Sequence, residues 1–108
     1  MYETKTHDGI WKTMPIDGIF AQELIERANG TFKMVKLQPG AVYPLHVHPD
    51  KTEFVYVLEG ILEAAIDENI YVGEAGTFYQ FPVGKKHGLK NPGTKETLLL
   101  VGAIKDEA

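Results

Sequence analysis

Glycine and proline interrupt this chain so often that no long element fits between them. Pro39-Gly40, Pro44, Pro49, Gly60, Gly73, Gly76, Pro82, Gly84 and Pro92-Gly93 leave short intervals rich in β-branched and aromatic residues. Proline lacks a backbone donor and glycine admits left-handed turns, so both tend to end strands. Strands of about 5–6 residues between such turns predict an all-β sandwich or barrel. The expected strands are Thr31–Gln38, Tyr43–His48, Glu53–Leu58, Ile61–Ile66, Ile70–Val72, Thr77–Phe81, His87–Lys90 and Glu96–Ile104. Asp67-Glu68-Asn69 and Asn91-Pro92-Gly93 read as hairpin turns, and Gly40, Gly60, Gly76 and Gly84 as turn residues that need positive φ or close packing.

Phe20 to Ala28 is the one stretch rich in helix formers. It admits a short helix or an edge strand. Nine residues is marginal for an isolated helix, which favours strand or irregular structure. The 108 residues suit one domain. Residues 1–30 are expected to pack on, or swap into, a barrel formed by residues 31–108.

Composition narrows the chemistry. The chain has no cysteine, so disulfides, thiolate ligands and thiol nucleophiles are excluded, and any metal must sit on nitrogen and oxygen. Net charge is −4 and the longest basic run is Lys85-Lys86, which excludes a phosphate-tracking groove for nucleic acid. No run of roughly 18 apolar residues exists to span a membrane as a helix. The first residues lack the apolar run of a signal peptide, and a cytoplasmic location is the expectation.

His46 and His48 are two apart, so an extended strand points both rings to one face. Glu53 has the wrong parity for the same strand, but Pro49-Asp50-Lys51-Thr52 reads as a turn. If the chain folds back there, Glu53 opens the next antiparallel strand opposite the histidines, and one hairpin supplies three ligands. His87 follows a second turn, Pro82 to Lys86. Spacing alone does not bring it to the same point.

Two longer patterns do. GAVYPLHVHPDKTEFVYVLEG, from Gly40 to Gly60, resembles the first cupin motif, and GTFYQFPVGKKHGLKN, from Gly76 to Asn91, resembles the second. Many relatives carry Asp where this chain has Thr77, a structural position. The resemblance implies a double-stranded β-helix, the cupin jelly-roll barrel. It implies one divalent metal held by His46, His48, Glu53 and His87, with water or substrate at the remaining positions. Imidazole and carboxylate suit Mn or Fe, and also Zn, Ni, Co or Cu.

Side-chain parity adds expectations. If Glu53 faces inward, so do Val55 and Val57, while Phe54, Tyr56 and Leu58 face outward. Either Ile10 to Ile25 covers that apolar row or a second subunit does, and the resemblance favours a homodimer. Tyr79 and Phe81 share one face of their strand, and Phe78 and Gln80 the other; Gln80 is the residue there able to orient a ligand by hydrogen bonds. His7 and Lys85-Lys86 read as solvated, with Lys85-Lys86 also placed to draw anions. Two functions remain open: a metal-dependent enzyme on a small organic substrate, with oxygen chemistry at Mn or Fe first and decarboxylation or isomerisation next, or a cupin that binds or senses a ligand or metal without turnover.

Overall fold

Alternating apolar and polar side chains sort the chain into two facing antiparallel sheets. In the computed structural model these are described for residues 3–106; residues 1, 2, 107 and 108, the outer ends of the two expected portions, lie outside the described residues. The elements are a 3-10 turn at Thr6–Asp8 and strands β1 (Lys12–Thr13), β2 (Ile19–Arg27), β3 (Gly30–Leu37), β4 (Val42–His46), β5 (Lys51–Glu59), β6 (Ile61–Ile66), β7 (Asn69–Glu74), β8 (Phe78–Phe81), β9 (His87–Lys90) and β10 (Thr97–Lys105). One sheet runs β1-β2-β3-β10-β5-β8 and the other β4-β9-β6-β7. This is the expected jelly-roll barrel.

The core lies between the sheets. Val55, Val57 and Leu99 from the large sheet meet Leu62, Ala64 and Leu89 from the small one. The Phe20 to Ala28 stretch resolves as strand: β2 pairs along β3 with a bulge between Glu23 and Ile25, and buries Ile19 and Ala21. Helix propensity loses there because strand pairing buries one face and satisfies the backbone at once.

Gly40, Gly60, Gly76 and Gly84 all have positive φ, from +78° to +93°. Gly60 matters most, because the chain passes there from the large sheet to the small one. A Cβ at Gly60 would also stand 3.0 Å from the Glu96 carbonyl oxygen.

Three expectations are corrected. The His46–Glu53 hairpin does not form: β4 pairs with β9, while β5 pairs with β10 and β8. Strand β5 begins at Lys51, two residues before Glu53, and His48 lies beyond the end of β4. The Pro49-Asp50 bend therefore carries the chain across the barrel, between sheets, rather than back along one. Asn91-Pro92-Gly93 is likewise a crossover, from β9 in the small sheet to β10 in the large one. Asn91 is fully buried there. Its Nδ2 donates to the Leu37 carbonyl at 2.9 Å and the Lys95 carbonyl at 2.8 Å, and its Oδ1 accepts from the Gly93 N–H at 2.9 Å. By contrast, β6 and β7 do form a tight hairpin at Asp67-Glu68, where Asp67 has φ +52°.

Candidate metal centre

Each of the four polar residues reaches the barrel interior by a separate local device. His46 and His87 are direct partners across β4 and β9, which sets their ring centroids 4.2 Å apart. A bulge between Tyr43 and His46 lets both side chains face inward although they are three residues apart. Gly88 makes room for it: a Cβ there would sit 2.9 Å from the Tyr43 carbonyl oxygen and 3.2 Å from the Leu45 nitrogen. His48 stands outside a strand, and its carbonyl accepts the Gly84 N–H at 3.1 Å, tying it to the turn that precedes His87. Glu53 comes from the opposite sheet on the inward face of β5, in line with fully buried Val55 and Val57.

One ligand atom from each of His46, His48, Glu53 and His87 can be chosen so that all lie within 4.8 Å of one another. His87 Nε2 is 3.0 Å from Glu53 Oε1, and His48 Nε2 is 3.6 Å from Glu53 Oε2. Adjacent ligands of an octahedral ion with bonds of about 2.1 Å stand about 3.0 Å apart, so the spacing fits a first-row metal. The rings are also oriented from behind. His46 Nδ1 donates to the Pro44 carbonyl at 3.0 Å, and His87 Nδ1 faces the Lys85 carbonyl at 3.4 Å. With Nδ1 tied to these carbonyls, each ring would offer Nε2 to a bound ion, the arrangement that outer hydrogen bonds give metal-binding histidines; in the metal-free structure the His87 Nε2–H donates to Glu53 Oε1 instead. Phe81 stacks on His87 with planes 6° apart and centroids 4.4 Å apart, which fixes the ring.

The electrostatics favour a cation. Burial pushes the Glu53 carboxyl up, but the His87 hydrogen bond and the fields of His87, His48 and His46 outweigh it and hold the group below its ordinary range. Burial is the main cause that lowers His48, against the opposing pull of Glu53. Both shifts favour the forms that ligate metal, an ionised carboxylate and a neutral ring.

Against Glu53 lies a cavity of about 40 Å³, lined also by Tyr43 and Lys33, with an apolar wall that includes Ile19, Leu37 and Leu89. Burial first, then the Glu53 charge, raises the Tyr43 hydroxyl above its ordinary value, so it stays protonated. Tyr43 and Lys33 were not anticipated as cavity residues. Lys33 had a legible signal, since it shares strand parity with buried Val35 and Leu37. Tyr43 had none, because the bulge hides its parity with His46. The choice left open on β8 resolves here: Tyr79 and Phe81 turn inward, and Gln80, which pairs opposite Phe54, lies on the outer face of the large sheet.

Comparison with known proteins agrees with this architecture. A family model described as a cupin domain matches residues 33–102. Polyketide synthase CurC of Streptomyces cyaneus is 31% identical over 72 residues, covering 67% of this chain and 47% of CurC. Quercetin 2,3-dioxygenase of Bacillus subtilis is 36% identical over 61 residues, covering 55% of this chain and 18% of that protein. The chain thus spans less than half the length of these curated relatives. Among solved structures, a predicted oxalate decarboxylase from Thermotoga maritima superposes with a TM-score of 0.87 over 94% of this chain and 96% of that one, at 20% identity, a likeness of fold. On the match of nearly two-thirds of its residues, and on the barrel built around the paired motifs, this chain belongs to the cupin domain family.

Proposed function

We propose that this chain binds one Mn or Fe ion through His46, His48, Glu53 and His87 and acts on a small organic molecule by oxygenase-type chemistry. One observation carries the reading: three imidazoles and one carboxylate converge from two sheets within 4.8 Å, and a cavity with an apolar wall lies against the carboxylate. Zn, Ni, Co or Cu also suit the donor set. A bound ion would supply Lewis acidity and, for Mn or Fe, a route to dioxygen as co-reactant. The chain's own residues do the rest. Glu53 offsets one positive charge. The Pro44 and Lys85 carbonyls hold the His46 and His87 protons on the far side of each ring. Tyr43 keeps its proton and can donate a hydrogen bond to a ligand oxygen. The apolar wall limits water around the ligand.

The dioxygenase relative supports oxygen chemistry. Lys33 and Tyr43, which line the cavity and carry protons, support a second reading as a metal-dependent isomerase or decarboxylase. Elemental analysis of protein grown in metal-replete medium is expected to find one first-row metal per chain. A substrate screen with an oxygen electrode then separates the readings. Oxygen uptake matched to substrate loss, and absent in His87→Ala, supports the oxygenase. Turnover without oxygen selects the second reading, and metal binding with no turnover selects a binding or sensing cupin.

The proposal includes a homodimer. Phe54 lies between Phe32 and Phe78 on the outer face of the large sheet, with ring centroids 6.4 and 6.0 Å away. Tyr56, Phe78 and Ile104 are exposed on that face. Residues 19–27 pair edge-on in the sheet as β2 and do not cover β5. Trp11 lies over Lys36, on β3. A second copy of this chain is the proposed cover, and residues 1–30 are proposed to act as an extension that packs on the barrel of residues 31–108.

A further inference from the structure

Asp67 is the one non-glycine among the described residues with positive φ, at +52°. It opens the two-residue turn between β6 and β7, at the surface. A side chain held in that region costs energy, which other contacts must offset. Three contacts of Asp67 do so. Its N–H donates to the Lys86 carbonyl at 2.7 Å, its Oδ1 accepts the Lys86 N–H at 3.1 Å, and its Oδ2 pairs with the Lys85 ammonium at 3.3 Å. The hairpin thus grips the end of the turn that leads into β9 and His87.

The grip falls on a particular peptide group. The Lys86 N–H and the Lys85 carbonyl belong to one planar trans unit, so they point in opposite directions. Holding the N–H on Asp67 therefore aims the carbonyl away from the hairpin, and there it faces His87 Nδ1 at 3.4 Å. Few other contacts fix that plane. Residues 82–86 lie in no strand, and among the described residues they hydrogen-bond outside themselves only to His48, Asp67 and His87. A carboxylate that accepts from the N–H also polarises the peptide and makes its carbonyl the better acceptor. A chain of contacts thus runs from an exposed carboxylate, through one peptide group, to a fully buried imidazole.

We propose that Asp67 is a positioning residue for the metal centre: its carboxylate orients the Lys85–Lys86 peptide so that the Lys85 carbonyl holds the His87 Nδ1 proton and leaves Nε2 for the ion. This rests on the metal-site reading and adds to it a residue that touches none of the four ligands. His46 serves as an internal control, because its Nδ1 is held by the Pro44 carbonyl, which Asp67 does not reach.

Zinc chloride titrated into the whole chain tests it, followed by calorimetry and by the imidazole Nδ1–H resonances, which a diamagnetic ion leaves observable. Asp67→Gly removes the carboxylate and suits the positive φ, so the turn keeps its shape. It is expected to weaken zinc binding about fivefold, as loss of one hydrogen bond does. It is also expected to shift the His87 Nδ1–H upfield and leave that of His46 unmoved. Asp67→Asn keeps an acceptor oxygen and is expected to stay within about twofold of wild type, since the exposed charge pair with Lys85 contributes little. Glu68→Gly loosens the same turn without removing a contact to Lys86, and is expected to change neither readout. Unchanged zinc affinity in Asp67→Gly, or an unmoved His87 resonance, overturns the proposal and leaves the metal site standing. An equal shift at His46, or an equal loss in Glu68→Gly, overturns it as well, because the turn would then act by general loosening. A loss in Asp67→Asn as large as in Asp67→Gly overturns it in favour of a field effect. Refusal of zinc by the wild type overturns both readings together.

Discussion

Glu53 is the single anion among the four converging residues, and that makes its charge separable from its shape. Glu53→Gln keeps the shape, whereas His46→Gln removes one neutral donor of three. Since an uncompensated ion in a low-dielectric site is costly, Glu53→Gln is expected to weaken Mn binding more than His46→Gln does. The gap should narrow for Ni or Cu, for which imidazole is the better donor. Competitive metal titration of both variants measures this, and a clearly worse His46→Gln for Mn would show that charge does not dominate. The pH dependence has a definite sign. His48 and Glu53 are both held below their ordinary values, so the metal-binding forms persist at neutral pH and are lost only as protons are added. In the metal-free protein the stability each contributes is likewise present above its ordinary value and lost as pH falls through the lowered one. Metal is expected to leave as pH drops below about 6, measured by dialysis and elemental analysis. Retention at about pH 4 would argue against a three-imidazole site. That these four residues converge was legible in the sequence because the two motifs have fixed spacings. Which face of β8 lines the interior was not legible, because strand parity gives two faces without saying which is inner.

Strand pairing, more than side-chain identity, decides whether these residues meet. The sequence indicates where strands stop, since proline and glycine act locally. It does not indicate which sheet each strand joins, since that depends on partners far along the chain. Hence nearly every expected strand appears, and the His46–Glu53 hairpin does not. The bulge in β4 escaped for the same reason: its enabling residue, Gly88, lies on the partner strand. Gly88→Val is expected to push β4 from β9, because the new side chain meets backbone atoms that cannot swing aside. The expected cost is about 1–3 kcal/mol of stability in denaturant titration. Misplacement of His46 relative to His87 should also lower Mn affinity by about tenfold or more. Unchanged metal affinity in a folded Gly88→Val protein would show that the bulge does not position His46.

For the whole molecule, the outer face of the large sheet sets the expected assembly. Sedimentation at micromolar concentration is expected to give twice the chain mass, and Tyr56→Lys, which places a charge in the apolar face, is expected to give a monomer with metal binding retained. A wild-type monomer would leave that face exposed to solvent. The two ends of the barrel are fastened by different means. Near the far end of β9, Asn91 joins the crossover to Leu37 of the large sheet by one buried hydrogen bond. At the near end, His46 and His87 of the small sheet meet Glu53 of the large one around a common point. A ligand ion there would link the sheets only while it stays bound. Amide hydrogen exchange should therefore be asymmetric: slow around Asn91 whether or not metal is present, and slowed around His46 and His87 only when it is. The mouth of the barrel would then open at a rate governed by its occupant, while its base keeps time with global unfolding.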